Sequence, residues 1–241
     1  MAVGVAGTLF ILAVPAAAQD VSINFGGPGN AGLTERVIQM IALLTVLSLA
    51  PSILVMMTSF TRIVVVLSLL RTALGTATAP PNAVLMALAL FLTAFVMGPT
   101  LQVAYDSAIR PLVANEITVE QAFERGSAPL RVFMQKNVRD KDLKLFIDMT
   151  KEPPPATPEQ LSLRVLIPAF MISELKRAFE IGFLLFIPFL IIDLVVASVL
   201  MSMGMMMLPP VVVSLPFKLI FFVLVDGWAL VAGSLIQSYG S

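Results

Sequence analysis

The stretch FLLFIPFLIIDLVVASVLMSMGMMMLPP, residues 183–210, decides the fold of this chain. It is one long apolar run with a single charge, Asp193, and it exceeds the about 20 residues that a membrane-spanning helix needs. Pro188 is expected to kink this helix, and Pro209 and Pro210 prevent it from continuing. The run therefore indicates a helical membrane protein.

The same run ends in five methionines within seven residues, Met201, Met203, Met205, Met206 and Met207. Methionine has a flexible chain and a polarisable sulfur, so it fills irregular space and repacks easily. Two interpretations are open. The segment is a soft apolar constriction, or it is a flexible helix end packed within its own bundle. Composition alone favours the second.

The overall composition of the chain also indicates a membrane protein. Of 241 residues, 58% are hydrophobic and 12% are charged, whereas a soluble domain has roughly 25% charged residues. The formal net charge is zero, so nothing points to nucleic acid. The chain has no cysteine and no histidine, which removes disulfides, the usual general base and the commonest metal ligand. We expect no enzyme activity and no cofactor.

The N-terminal 32 residues are predicted to lie outside the folded part. Residues 1–18 resemble a secretory signal peptide, with a short apolar segment and small residues before a cleavage point after Ala18. The absence of Lys or Arg near the start departs from that pattern, and a short first membrane helix is the alternative. Residues 19–32 are rich in glycine and are predicted to be a flexible linker.

Residues 33–104 are predicted to form the N-terminal apolar helices. The segment 37–57 is long enough to span a membrane and contains Pro51 as a kink. In the next apolar segment, 53–74, Arg62 shares a helix face with neighbouring hydroxyl residues, and we expect it to face protein or water because a charge in lipid is costly. The segment 83–97 is short for a span and is expected to end at Gly98-Pro99.

Residues 105–164 are predicted to form a polar, water-facing helical domain, since they carry 18 of the 30 charges. Its placement on the periplasmic side rests on the predicted signal peptide alone, because the charges are balanced. Thr118 and Gln121 match a capping box at the start of a short helix, 118–124. Two amphipathic helices, 129–137 and 140–149, should follow. Their largest apolar groups, Phe133 and Phe146, are expected to form a small core.

Residues 165–241 are predicted to form the C-terminal apolar helices with the methionine segment between them. Five polar residues lie on one face of the first helix, Ser173, Glu174, Lys176, Arg177 and Glu180. This face is either wet at the membrane interface or in contact with charges of a neighbouring subunit. Glu174 with Arg177 and Lys176 with Glu180 have the spacing of pairs within the helix.

Two lone charges, Asp193 and Lys218, lie in long apolar runs, where ionisable residues are functional candidates. Asp193 either joins a proton path or pairs across two helices, and we favour the structural pairing. We also hypothesise that Lys218 pairs with Glu174, within one chain or between copies.

Several long motifs resemble the FliP family of the flagellar type III export gate. They are TSFTRI (58–63), LLRTALG (69–75), PPN (80–82), IPAFMISELKRAFEIG (167–182) and MMMLPP (205–210). The resemblance covers the chain from about residue 33 to its C-terminus. It implies an all-α membrane protein with long kinked apolar helical hairpins and a small polar helical domain.

The resemblance also implies assembly and function. Copies would form a pentamer-like helical ring with FliQ- and FliR-type proteins and other export-apparatus membrane proteins. The ring would pass unfolded flagellar proteins across the bacterial inner membrane, in the flagellar basal body, with much of the chain at the periplasmic side. Met205, Met206 and Met207 would correspond to the gasket that closes the channel, which reverses the preference from composition. The alternative is a conventional solute or ion transporter subunit, with Arg62, Asp193 and Lys218 as an intramembrane relay.

Overall fold

The computed structural model describes residues 38, 40–41, 44–45, 48, 52, 55–76, 78–150, 161–205 and 207–240. The chain divides into two compact units, Met1–Leu44 and Thr45–Ser241. The four described residues of the first unit are helical and exposed. The signal peptide with its cleavage point at Ala18, the linker 19–32 and Pro51 lie outside the described residues.

The second unit is all-helical over its described residues, which confirms the predicted fold class. Its helices are α1 (Phe60–Leu74), α2 (Asn82–Ala104), α3 (Arg110–Val113), α4 (Val119–Asn137), α5 (Asp140–Thr150), α6 (Leu163–Ser202), α7 (Pro210–Leu224) and α8 (Gly227–Gly240). A π-helical turn, Tyr105–Ile109, joins α2 to α3.

Helix α1 packs along α6 and forms the larger part of the core. Ile63, Val66 and Leu70 of α1 are fully buried, in the same apolar cluster as Ala178 and Phe189 of α6. The two helices approach closely at Gly182, where an added Cβ atom would lie 2.3 Å from a methyl carbon of Leu69. Close packing of these two helices places Arg62 opposite Glu174.

The prediction that an apolar helix ends at Gly98-Pro99 was wrong. Helix α2 continues through Pro99 to Ala104 and, through the π-helical turn and α3, to Val113. Pro99 removes one backbone donor and is exposed at the helix surface, and α2 continues through it. The segment Asn82–Val113 is therefore 32 residues long and apolar enough to cross a membrane.

The polar segment begins with the predicted capping box. The Thr118 side chain accepts from the backbone of Gln121, and the Gln121 side chain accepts from the backbone of Thr118. The two predicted helices 118–124 and 129–137 are one helix, because Pro129 is accommodated inside α4. Helix α5 matches the predicted helix 140–149 to within one residue.

Phe133 and Phe146 pack against a second apolar cluster, as predicted for core residues. This cluster contains Met134 of α4 but also Leu166 and Phe170 of α6. The polar helices therefore share their core with the long apolar helix. The bounds of a separate polar domain, 105–164, stay a prediction.

The C-terminal part consists of a 40-residue helix and a bent pair. Pro168 and Pro188 both lie inside α6, which is continuous and long enough to cross a membrane. Helices α7 and α8 meet at 63° and would make a third span if the pair counts as one. At this bend Asp226 has a φ of 51°, and a Cβ atom on Gly227 would lie 2.2 Å from the Phe222 ring.

Candidate functional site

The first charged site joins α1 to α6 through two fully buried residues. Arg62 Nε donates to Glu174 Oε2 at 2.9 Å, and Arg62 Nη2 donates to Glu174 Oε1. Bidentate arginine–carboxylate pairs are strong and geometrically specific. The expectation that Arg62 faces protein rather than lipid is confirmed.

Helix α8 completes this site with Ser238 and Tyr239. Arg62 Nη1 donates to Ser238 Oγ at 3.0 Å, and its guanidinium carbon lies 3.8 Å from the centre of the Tyr239 ring. The Tyr239 hydroxyl donates to Glu174 Oε2. The buried pair is therefore satisfied on its remaining sides, which a charge pair in an apolar interior requires. The sequence gives no signal for this contact, because Arg62 and Tyr239 lie far apart in the chain.

The second charged site joins α6, α7 and the C-terminal end of α1. Lys218 Nζ donates to Asp193 Oδ2 at 2.7 Å, and Ser214 Oγ donates to Asp193 Oδ1 at 2.5 Å. Lys218 also donates to the backbone oxygen of Ala73 at 3.2 Å. The last carbonyls of a helix lack internal partners and attract a cation. Lys218 therefore stabilises the end of α1 while it neutralises Asp193.

The proposed pair between Glu174 and Lys218 does not form within this chain. Glu174 binds Arg62 and Tyr239, whereas Lys218 binds Asp193. The prediction was wrong on this point because charge and spacing could not rank the several opposite charges in neighbouring apolar segments. Asp193 does pair across α6 and α7, with Lys218 at 2.7 Å. Its purely structural role, as opposed to a place in a proton path, stays a prediction.

The remaining charges on α6 are exposed or half-buried. Lys176 and Glu180 form the predicted pair within the helix at 3.5 Å, with both side chains 55% exposed. Arg177 is half-buried. The predicted pairing of Glu174 with Arg177 gives way to the stronger bidentate bond from Arg62. Contact of Arg177 and Glu180 with a neighbouring subunit stays a prediction.

A polar bracket that the sequence analysis missed fixes α5 to α6. Ser173 Oγ donates to Asp142 Oδ2 at 2.7 Å and accepts from the backbone N–H of Arg139 at 3.1 Å. Arg139 binds both carboxylate oxygens of Asp142, at 2.8 and 3.0 Å. This bond from Arg139 holds the pKa of Asp142 below its usual value, against the opposing effect of burial. The spacing of three residues between Arg139 and Asp142 could have predicted their ion pair, but not the contact with Ser173.

The methionine segment forms the connection between α6 and α7. Helix α6 ends at Ser202, Gly204 adopts a left-handed conformation with φ 75°, and α7 begins at Pro210. Four of its methionines have exposed side chains, Met201, Met203, Met205 and Met207, and the fifth, Met206, lies outside the described residues. Packing of this segment within the chain's own bundle, which composition favoured, is therefore wrong for these four. We call residues 201–208 the methionine loop.

The described residues contain no group of three or more acidic, histidine or cysteine side chains that could hold a metal ion. A cleft of about 880 Å³ lies between α2, α4 and α8, with Phe95, Val132 and Ile236 among its mostly apolar walls. The charged side chains of both buried sites form ion pairs between helices. The described residues thus define the class: a multi-helix membrane protein with internal charge pairs and an exposed apolar loop.

Comparison with known proteins narrows the class to one family. The FliP family model matches residues 43–235. Flagellar biosynthetic protein FliP of Caulobacter vibrioides is 64% identical over 229 residues, which cover 94% of this chain and 85% of that protein. The Bacillus subtilis protein of the same name is 55% identical over 90% of this chain and 98% of its own length. The chain belongs to the FliP family.

Proposed function

We propose that this chain is a core subunit of the flagellar protein export gate and forms part of a channel for unfolded flagellar proteins. Membership of the FliP family, whose relatives are named flagellar biosynthetic proteins, supports a role in the flagellar export apparatus. The observation that carries the channel role is the exposed methionine loop between the 40-residue apolar helix α6 and the shorter apolar helix α7. The role is that of a conduit without catalysis or cofactor.

Several copies of the chain would assemble into a pentamer-like ring with FliQ- and FliR-type proteins and other export-apparatus membrane proteins. The exposed apolar face of α6 supports this, because Phe183, Leu194 and Val195 lie at its surface and need either lipid or protein around them. The assembly would lie in the bacterial inner membrane and flagellar basal body, with much of the chain at the periplasmic side.

The chemistry of the methionine loop suits a gate for extended polypeptide. Such a gate must block ions when it is idle and yield to side chains of any size when it is open. A ring of apolar side chains excludes water and therefore ions, as hydrophobic constrictions in channels do. Thioether side chains are also flexible enough to move apart around a passing peptide.

The alternative, a transporter that uses Arg62, Asp193 and Lys218 as one relay, has less support. Arg62 belongs to the site with Glu174 and Tyr239, whereas Asp193 and Lys218 belong to a second site with Ser214. The two sites share no hydrogen-bonding residue among those described. A relay would need a link between them.

The test replaces Met205, Met206 and Met207 with alanine and measures ion conductance across membranes that contain the assembled complex. We expect an increased resting leak, since alanine leaves a wider and less apolar opening. The control is Met149→Ala, which truncates an exposed methionine on α5, outside the loop. Native mass spectrometry verifies that both variants retain the ring and its partners. An intact ring with unchanged conductance would show that the methionine loop does not seal the channel against ions.

A further inference from the structure

We propose that the second charged site positions the methionine loop, so that the resting gate seals only while this site is intact. Helices α6 and α7 form a helical hairpin with the methionine loop at its tip. Asp193 of one arm and Ser214 and Lys218 of the other form the contact between the arms. We call these three residues the hairpin clamp. Their role rests on the proposed gate function, and they act through the geometry of the hairpin rather than by contact with the transported protein.

The clamp joins the two arms close to the tip. Asp193 lies nine residues before Ser202, the last residue of α6, which is about 14 Å along the helix. Ser214 lies four residues after Pro210, the first residue of α7, which is about 6 Å. Ser214 Oγ and Lys218 Nζ donate to different oxygens of the Asp193 carboxylate, at 2.5 and 2.7 Å. Because both oxygens are held, α7 cannot rotate or slide on α6 without loss of a hydrogen bond.

Little other packing holds the hairpin between the clamp and the loop. In the described stretches 194–200 and 210–213, Leu200 is the one buried residue. On the far side of the clamp, the Phe189 ring of α6 lies 6.2 and 6.3 Å from the rings of Phe221 and Phe222 of α7. The clamp is therefore the side-chain hydrogen-bonded contact between the arms that lies nearest to the loop among the described residues.

The clamp also connects the hairpin to the core helix α1. Lys218 Nζ donates to the backbone oxygen of Ala73 at 3.2 Å. Helix α1 ends at Gly75, whose left-handed conformation, φ 79°, places a Cβ position 3.9 Å from the same Nζ atom. Since Leu70 of α1 is fully buried in the apolar core, this contact fixes α7 relative to the core as well as to α6.

Two prolines make the hairpin depend on the clamp. Pro216 lies inside α7 between Ser214 and Lys218, and Pro188 lies inside α6 five residues before Asp193. Each proline removes one backbone donor from its helix, so helices bend most easily near such positions. Both arms are therefore weakened in their own backbone bonding beside the clamp, and contacts between side chains must fix the angle between them.

The size of the expected movement shows why the seal depends on this site. Without the clamp, the next contact between the arms is at Phe222, which lies twelve residues, or about 18 Å, after the start of α7. A tilt of about 10° around that point moves the start of α7 by about 3 Å. A water molecule is about 2.8 Å across, so this displacement is enough to admit water to a closed apolar constriction.

The first experiment compares two variants that each remove one hydroxyl donor from a carboxylate in an ion pair. Ser214→Ala removes the donor to Asp193, and Tyr239→Phe removes the donor to Glu174, outside the hairpin clamp. Ion conductance is measured across membranes that contain the assembled complex, and native mass spectrometry verifies the ring. We expect a several-fold higher resting conductance for Ser214→Ala and the wild-type value for Tyr239→Phe. Equal conductance of the two variants would overturn the positioning role.

The second experiment measures amide hydrogen–deuterium exchange in the same complexes and does not depend on conductance. In Ser214→Ala we expect several-fold faster exchange in residues 194–202 and 211–215, with wild-type exchange in α4. Tyr239→Phe should leave the hairpin at the wild-type rate. Wild-type exchange throughout the hairpin of Ser214→Ala would overturn the proposal, because the clamp would then not hold the arms.

A conservative variant separates the hydroxyl from the volume of the side chain. Ser214→Thr keeps the Oγ donor and should retain both the wild-type conductance and the wild-type exchange of the hairpin. If Ser214→Thr leaks like Ser214→Ala although its hairpin exchanges like wild type, the seal does not follow the geometry of the hairpin and the proposal fails.

These results separate the clamp from the gate itself. If the triple alanine variant of the loop leaks and Ser214→Ala stays sealed, the gate function stands and the role of the clamp is refuted. If the triple alanine variant stays sealed with an intact ring, the gate function fails, and the role of the clamp in sealing fails with it. Faster exchange in Ser214→Ala would then identify the clamp as a structural contact only.

Discussion

At the residue scale, the charged side chains buried in the described part of the chain each have several partners. Arg62 donates two hydrogen bonds to Glu174, and Lys218 donates to both Asp193 and a carbonyl near the end of α1. A charge taken out of water without a partner costs several kcal/mol, so each member of such a pair depends on the other. We therefore predict that the lone charges in the apolar segments act first in holding helices together.

Removal of Lys218 tests this dependence. Lys218→Met leaves Asp193 without its cation, and we expect a loss of stability somewhat below the about 3–5 kcal/mol typical of fully buried pairs, because Asp193 is partly exposed. The double variant Lys218→Met with Asp193→Leu should recover most of that loss. Unfolding in detergent, followed by circular dichroism, gives the three values.

The control is Lys176→Ala, which breaks an exposed pair and should change stability by no more than about 0.5 kcal/mol. If Lys218→Met is as stable as wild type and assembles normally but abolishes export, the pair acts in an ion path and the structural interpretation is wrong.

At the element scale, the bracket of Arg139, Asp142 and Ser173 determines how α5 sits on α6. The pKa of Asp142 is lowered in the folded protein, so folding favours its ionised form. The resulting gain in the free energy of unfolding is complete above about pH 3.9, the usual pKa of an aspartate in an unfolded chain. It is lost as the pH falls through the lower pKa of the folded state. The docking of α5 should therefore weaken in acid.

The variant Asp142→Asn should be less stable than wild type at neutral pH, and the difference should shrink as the pH falls below about 3.9. Unfolding midpoints measured from neutral pH to about pH 3 provide the comparison. Asp148→Asn, an exposed change on the same helix, should leave the profile unaltered. A difference between Asp142→Asn and wild type that does not vary with pH would contradict the role of the carboxylate charge.

Prolines explain the errors in helix boundaries at this scale. Pro99 was expected to end a helix and Pro129 to begin one, yet each lies inside a continuous helix. Helix α6 continues through Pro188, and the kink expected there stays a prediction. A proline removes one bond and bends the helix, but packing along a long apolar face outweighs that local loss. The capping box at Thr118 was predictable because it depends only on neighbours in the sequence.

At the scale of the whole molecule, Tyr239 joins α8 to Glu174 of α6 and to Arg62 of α1, almost 180 positions earlier in the sequence. Its hydroxyl lies on Glu174 and its ring covers the Arg62 guanidinium. The three helices α1, α6 and α8 therefore meet at one buried polar point. This arrangement couples the last turn of the described chain to the central helix pair.

Tyr239→Phe removes one donor from the buried Glu174 carboxylate and keeps the ring over Arg62. We expect a loss of about 1–3 kcal/mol, since a buried charged acceptor loses a hydrogen bond. Tyr105→Phe is a matched control, because Tyr105 is exposed. Thermal unfolding reports the stability, and native mass spectrometry reports ring assembly. Equal stability of the two variants would show that the Tyr239 hydroxyl adds nothing to the buried site.

The sequence by itself determined the membrane class, the helical content and the position of the methionine loop. These depend on apolar run length, on capping residues and on the proline pair at 209–210, all of which act over a few neighbouring residues. The family motifs lie in the same local segments. The candidate gate was therefore predictable as a segment of sequence.

Only the tertiary structure decided which charges pair. The sequence offered Arg177 and Lys218 as partners of Glu174, but the close approach of α1 to α6 at Gly182 selects Arg62 instead. The Asp193 partner is decided in the same way by the packing of α7 on α6. The physical reason is that an ion pair depends on distances of about 3 Å between side chains far apart in the sequence, and helix packing alone sets those distances.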